Sequence, residues 1–121
     1  MKKILLAAGL LTLPMLALAV DLKGAKIVAQ DGQSLGVVGD RLQTESVLNP
    51  FGIYGDSHNE KSIWNTFGKY GSQFDETSAF NPYANHPPKI YLRDGGKPYF
   101  LTTNTYLTPR IDPNTLRSSD P

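Results

Sequence analysis

Ser46-Val-Leu-Asn-Pro-Phe-Gly-Ile-Tyr-Gly55 recurs as Ser62-Ile-Trp-Asn-Thr-Phe-Gly-Lys-Tyr-Gly71 and, altered, as Ser78-Ala-Phe-Asn-Pro-Tyr-Ala-Asn-His-Pro87. The three serines stand 16 residues apart. A fixed period means that one small unit is used three times, and units this short bury no apolar face alone. The copies must therefore stack on one another or on a neighbouring sheet. Ser, two apolar residues, Asn, an aromatic and a small residue keep their places in all three. These are turn formers and packing groups, not an acid, base or nucleophile.

Local chemistry sets the shape of one unit. Each Ser can accept backbone N–H bonds from the turn that follows it. Asn49 and Asn81 precede proline, which disfavours the helical region for them. An Asn side chain can close an Asx turn on the backbone two residues ahead, and Gly can supply a positive φ. Each unit is expected to be a capped turn or short extended piece, followed by a reversal carrying two aromatics. Phe51 and Tyr54 form the first pair, Phe67 and Tyr70 the second. Pro82, Pro87 and Pro88 end the array, and Asp112-Pro-Asn-Thr-Leu116 resembles a further copy that stops early.

Two Asp-Gly hairpins frame the repeats. Lys26-Ile-Val-Ala-Gln30 runs through Asp31-Gly32 into Gln33-Ser-Leu-Gly-Val-Val38. Asp-Gly between apolar runs is a hairpin signal, and a type I′ turn here would pair Val28 with Leu35. Lys89-Ile-Tyr-Leu-Arg93 and Pro98-Tyr-Phe-Leu-Thr102 flank Asp94-Gly-Gly-Lys97 in the same way. The expected pairs there are Leu92 with Tyr99, Ile90 with Leu101 and Tyr91 with Phe100. A lone hairpin is marginal in water. The fold class predicted is therefore mainly β and turn-rich. Hairpins at about 26–38 and 89–103 join one small antiparallel sheet, and the three-copy repeat segment 46–88 packs against it. Gly36 is expected to be a bulge or a point of close approach.

The N-terminus reads as an address. Lys2 and Lys3 precede an apolar run from Ile4 to Leu18, and Ala17-Leu-Ala19 is a small-x-small cleavage signal. Residues 1–19 are expected to be a cleaved signal peptide, and residues 20–121 a single small exported domain, periplasmic or extracellular. The run is shorter than the roughly 20 residues of a membrane span and contains Pro14. No span is expected once the signal is removed. The chain carries 12 Lys and Arg against 11 Asp and Glu. Loss of Lys2 and Lys3 leaves 10 against 11, a net charge of −1. A near-neutral surface of mixed sign gives no footprint for nucleic acid. With no cysteine, thiolate metal sites, thiol catalysis and disulfides are excluded.

The framing hairpins and the tandem Ser-x-x-Asn-Pro-Phe/Tyr-Gly-x-Tyr-Gly units resemble a family of small exported bacterial proteins of unknown function. The resemblance runs from about Ile27 to Thr115 and departs from the family pattern at Thr66, Ala84 and His86. It implies no activity and no site residues.

Candidate sites are few. Asp56, His58 and Glu60 alternate but lack the further acids and the Gly of a calcium loop, and read as a solvated linker. Glu60 and Glu76 lie one period apart, as capping or solvated groups. No Gly-x-Ser-x-Gly elbow surrounds the serines, and no phosphate-cradling loop occurs. The sequence therefore predicts no catalytic residue, no metal site and no cofactor. Eight of the 12 aromatics fall between Ser46 and His86. Trp64, Tyr54, Tyr70 and Tyr83, beside Asn49, Asn65 and Asn81, form a candidate binding surface, set against the alternative that these rings are core. The leading reading is a non-catalytic envelope or extracellular protein whose repeats serve structure or protein interaction. The alternative is a glycan- or cell-wall-binding module, with a small hydrolase a distant third. Partners follow suit: an envelope protein or a cell-wall glycan.

Overall fold

A computed structural model describes residues 20–118. The expected signal segment, 1–19, lies outside the described residues. Among the described residues the regular secondary structure is mainly strand, in one five-stranded sheet. In chain order the strands are β1 (Lys26–Val28), β2 (Ser34–Val37), β3 (Lys89–Tyr91), β4 (Tyr99–Leu101) and β5 (Arg110–Ile111), followed by a short helix, α1 (Asn114–Ser118). The spatial order is β2-β1-β3-β4-β5. β1 pairs antiparallel with both β2 and β3, and β3 pairs antiparallel with β4. β5 pairs parallel with β4, so the sheet is mixed rather than purely antiparallel as expected.

Alternation along the strands makes the sheet one-sided. Ile27 faces Ile90 across β1 and β3, and Leu101 faces Ile111 across β4 and β5. All four are buried. Their neighbours Lys26, Tyr91 and Arg110 lie on the wetter face. Val47, Ile63, Trp64, Tyr70, Ala79 and Leu116 join the sheet's apolar face in a single core.

Both hairpin registers differ from the expected ones, and turn chemistry explains why. In the first loop Gly32 N–H donates to Ala29 O at 2.9 Å and Ala29 N–H donates to Gln33 O at 2.8 Å. Gly32 has φ 90°, and among the described residues no non-glycine residue has positive φ. Asp31 therefore cannot occupy a type I′ turn. The connection is the three-residue kind, with a left-handed Gly closing it. Val28 then lies opposite Ser34 instead of Leu35, and the register slips before Lys26 meets Val37. Gly36 sits in that slip with φ 101°, and a Cβ there would lie 2.8 Å from the Tyr54 side chain. In the second hairpin Gly95 and Gly96 both take positive φ. The longer loop pairs Ile90 with Tyr99 and Lys89 with Phe100. The shift is two residues, so each side chain keeps its expected face.

Residues 38–88 hold turns rather than strands. Val47, Ile63 and Ala79, each following a repeat Ser, are fully buried. The first copy docks on the β2 edge: Val47 N–H donates to Val37 O at 2.8 Å and Val37 N–H to Glu45 O at 3.0 Å. The third docks beyond β4, where Thr103 N–H donates to Ala79 O at 3.0 Å.

Candidate functional site: aromatic turn tips and the cleft beside Trp64

One hydrogen-bonded turn recurs in each copy. The Ser Oγ accepts from the N–H two residues on, in Leu48, Trp64 and Phe80, at 2.9, 3.1 and 3.0 Å. The Asn Oδ1 accepts from the ring-bearing residue two further on, Phe51, Phe67 or Tyr83, at 3.0, 3.0 and 2.9 Å. The Asn Nδ2 reaches back six residues to the carbonyls of Gln43, Asn59 and Asp75 at 3.0–3.1 Å. Each amide is thus tied at both ends, and its turn is set by Asx chemistry. All three Ser side chains lie fully inside, where they act as turn acceptors.

A fourth turn of this kind escaped the sequence reading. Thr102 Oγ1 accepts from Asn104 N–H at 3.0 Å, and Asn104 Oδ1 accepts from Tyr106 N–H at 3.0 Å. Asn104 Nδ2 donates to Ala84 O at 2.8 Å. Thr replaces Ser here, one residue is missing before Asn, and the 16-residue register is broken. The Asn-x-aromatic triplet was the one signal that could have found it. Asp112 closes a further Asx turn on Asn114 N–H at 2.9 Å, at the start of α1.

The turns throw one ring outward each. Phe51 is 95% exposed, Phe67 98%, Tyr83 78% and Tyr106 86%. The structure places the residues of the expected binding surface as follows. Trp64 and Tyr70 are buried at 8% and 6%, and Tyr54 is half-buried over Gly36. Asn49 and Asn65 are half-buried and Asn81 is buried, with their amides committed to backbone. Of the seven expected residues, only Tyr83 presents its side chain to solvent.

The buried rings are joints. Trp64 Nε1–H donates to Val47 O at 2.7 Å, and its ring lies 5.6 Å from that of Phe80. The Arg117 guanidinium sits 3.7 Å above the indole. Trp64 therefore links the first copy, the third copy and α1. Partial burial pushes the Arg117 pKa down. Tyr70 OH and Lys69 Nζ donate to the same Asp31 oxygen at 3.0 and 3.1 Å, linking the second copy to the first hairpin loop. The Gln33 backbone N–H, followed by Lys69 and Tyr70, holds the Asp31 carboxyl below its ordinary range. Burial, followed by Asp31, raises the Tyr70 phenol.

Beside Trp64 opens a cleft of about 440 Å³, walled by Ile63, Phe80, Pro82, Gln73, Thr103 and Arg117 among others. Among the described residues, Thr103 Oγ1 is the buried side-chain polar atom without a hydrogen-bond partner. His58 lies 3.5 Å from Asp56, and His86 lies 3.5 Å from Glu76, all at the surface or half-buried. Among the described residues no group of three His, Asp or Glu could hold a metal ion, and no helix is long and apolar enough to cross a membrane. In comparisons with known proteins, no family model, no curated protein and no solved structure matched the chain.

Proposed function

We propose that this chain is an exported, non-catalytic interaction protein of the envelope or extracellular space. Its repeats form a scaffold against the sheet that holds aromatic rings out to a protein partner. The observation that carries this reading is the exposure of Phe51, Phe67, Tyr83 and Tyr106 at one position of a turn made four times. Single exposed apolar residues are ordinary; the same one repeated in a tied turn is not. Preorganised aromatic side chains are what protein interfaces use as anchors. A glycan surface at these tips is less well supported, because the neighbouring Asn amides are occupied by backbone. In this reading residues 1–19 are the cleaved address, and the mature chain starts at Val20.

The test is capture from envelope extract by the mature domain. Wild type should enrich a defined protein. A variant with Phe51, Phe67, Tyr83 and Tyr106 all changed to Ser should melt within a few degrees of wild type and lose it. Equal capture by a folded variant, or no protein captured by wild type, would refute the proposal.

A further inference from the structure

We infer that the cleft beside Trp64 is a second, separate binding site, and that its ligand is an acidic sugar: a hydroxylated ring bearing one carboxylate. The cleft's volume of about 440 Å³ lies within the roughly 300–1,000 Å³ of small-molecule sites. Its walls divide into three chemistries. Phe80, half-buried, and Pro82, exposed, offer an apolar flank beside buried Trp64. That flank suits the C–H face of a sugar ring.

The polar wall is unlike the turns. The Asn amides of the repeats are tied to backbone, whereas the Gln73 amide and the Thr66 hydroxyl make no hydrogen bond among the described residues. Thr103 Oγ1, in the same wall, is shielded from solvent and has no partner. A buried polar group left unpaired is destabilising and calls for an explanation. A ligand hydroxyl that enters as the wall adjusts would supply the missing partner.

Arg117 provides the charge. Its guanidinium carbon lies over the Trp64 ring, 3.7 Å from the centroid. Among the described residues no carboxylate pairs with it. A guanidinium seated on an aromatic ring and not paired with a carboxylate keeps N–H groups for a planar, two-oxygen acceptor. A carboxylate fits those N–H groups, and the hydroxyls of the same molecule fit Gln73, Thr66 and Thr103. A bare carboxylate would use the first group and leave the others idle. A neutral sugar would do the reverse.

Trp64 is the chain's single tryptophan, so its emission reports directly on the cleft. The mature protein is titrated with sodium glucuronate, glucose and sodium acetate. Glucuronate should change the emission saturably, and glucose and acetate should bind at least roughly tenfold more weakly. Arg117→Met, which keeps the aliphatic stem over the indole, should weaken glucuronate roughly tenfold. Should that variant fail to fold, Gln73→Ala, at an exposed position, must weaken it instead. No saturable response to glucuronate, equal responses to glucose or acetate, or unchanged affinity in the folded Arg117→Met variant would each overturn the assignment. The turn-tip variant with four Ser substitutions should bind glucuronate like wild type, which separates this site from the proposed protein-binding surface.

Discussion

Adding one methyl group to Gly71 should cost far more than adding it to Gly68, three residues earlier. Turn chemistry suggested that repeat glycines supply positive φ. None of them does: among the described residues the glycines with positive φ are Gly24, Gly32, Gly36, Gly95 and Gly96. The requirement at Gly71 is for space. A Cβ there would overlap the backbone carbonyl oxygens of Ile63 and Asn65 and sit 2.8 Å from the Asn65 carbonyl carbon. Those atoms belong to the tied turn and cannot rotate away. Relieving such a clash by backbone shift costs about 1–3 kcal/mol. Moving the Asn65 carbonyl also stretches its 3.0 Å bond from Gly68 N–H, worth a further ~1 kcal/mol. A total of about 3 kcal/mol lowers Tm by roughly 12–24 °C in a domain of this size. At Gly68 the nearest atom to a Cβ is the Asn65 Nδ2 at 3.1 Å, part of a side chain that can yield slightly. The third copy carries Ala84 at the corresponding position, and its N–H donates to the Asn81 carbonyl oxygen in the same way, at 3.0 Å. Gly68→Ala should therefore melt within about 4 °C of wild type, since lost chain entropy in the unfolded state offsets a mild contact. Thermal melts of the three mature proteins by circular dichroism decide the matter. If Gly71→Ala melts within about 4 °C of wild type, or Gly68→Ala falls equally far, the close-approach argument is wrong.

Further outcomes follow from the joints and the tied turns. Asp31 has a folded pKa below its ordinary value, so its ties to Gln33, Lys69 and Tyr70 contribute stability above about pH 4 and lose it as pH falls through the folded value. The stability advantage of wild type over Asp31→Asn, read by urea unfolding, should be present at neutral pH and shrink in acid; a constant difference would contradict this. Lys69 and Tyr70 are raised, so what they contribute is present below about pH 10 and is lost as pH climbs through their folded values. Trp64→Phe removes the 2.7 Å donor to Val47 O and should cost about 1–3 kcal/mol by urea unfolding; an unchanged midpoint would mean that this bond is not a joint. Asn81→Ala loses both amide ties of a buried side chain and should cost about 1–3 kcal/mol. Asn81→Asp keeps the acceptor for Tyr83 N–H and should recover part of that; equal losses in the two variants would discount the Asx bond.

The period, the Asx turns and the union of strands at both ends into one sheet were readable because each rests on local chemistry: Asn beside its turn, Gly after Asp, alternation along Lys26-Ile-Val and Lys89-Ile-Tyr. Registers were not readable, because Asp-Gly does not state how many residues take positive φ. Gly32 does so alone; Gly95 and Gly96 do so together. β5 has two residues and a parallel neighbour, too few for any period to register. The direction of the rings was hidden for a different reason. Aromatics at two and five residues beyond Asn look alike in composition. Only the Asx bond, drawn at the first of them, sends that ring out and lets Tyr70 turn in.

The internal copies supply a comparison that separates folding from function. Five residues beyond Asn stand Tyr54, Tyr70 and His86. In the first two copies that ring is half-buried or buried, and in the third it has given way to an exposed His. Between Asn and its outward ring stand Pro50, Thr66, Pro82 and Thr105, and after the ring come Gly52, Gly68, Ala84 and Leu107. Those flanks vary because the Asn amide closes the turn whatever they are. The outward position itself reads Phe, Phe, Tyr, Tyr. It is where the fold asks least, since a ring up to 98% exposed gains almost nothing from burial. The outward slot keeps its aromatic where packing is absent, whereas the neighbouring slot carries a ring only in the two copies where that ring packs. That is the behaviour expected of a contact surface, and it is why the turn tips rather than the Trp64 core carry the proposed interaction.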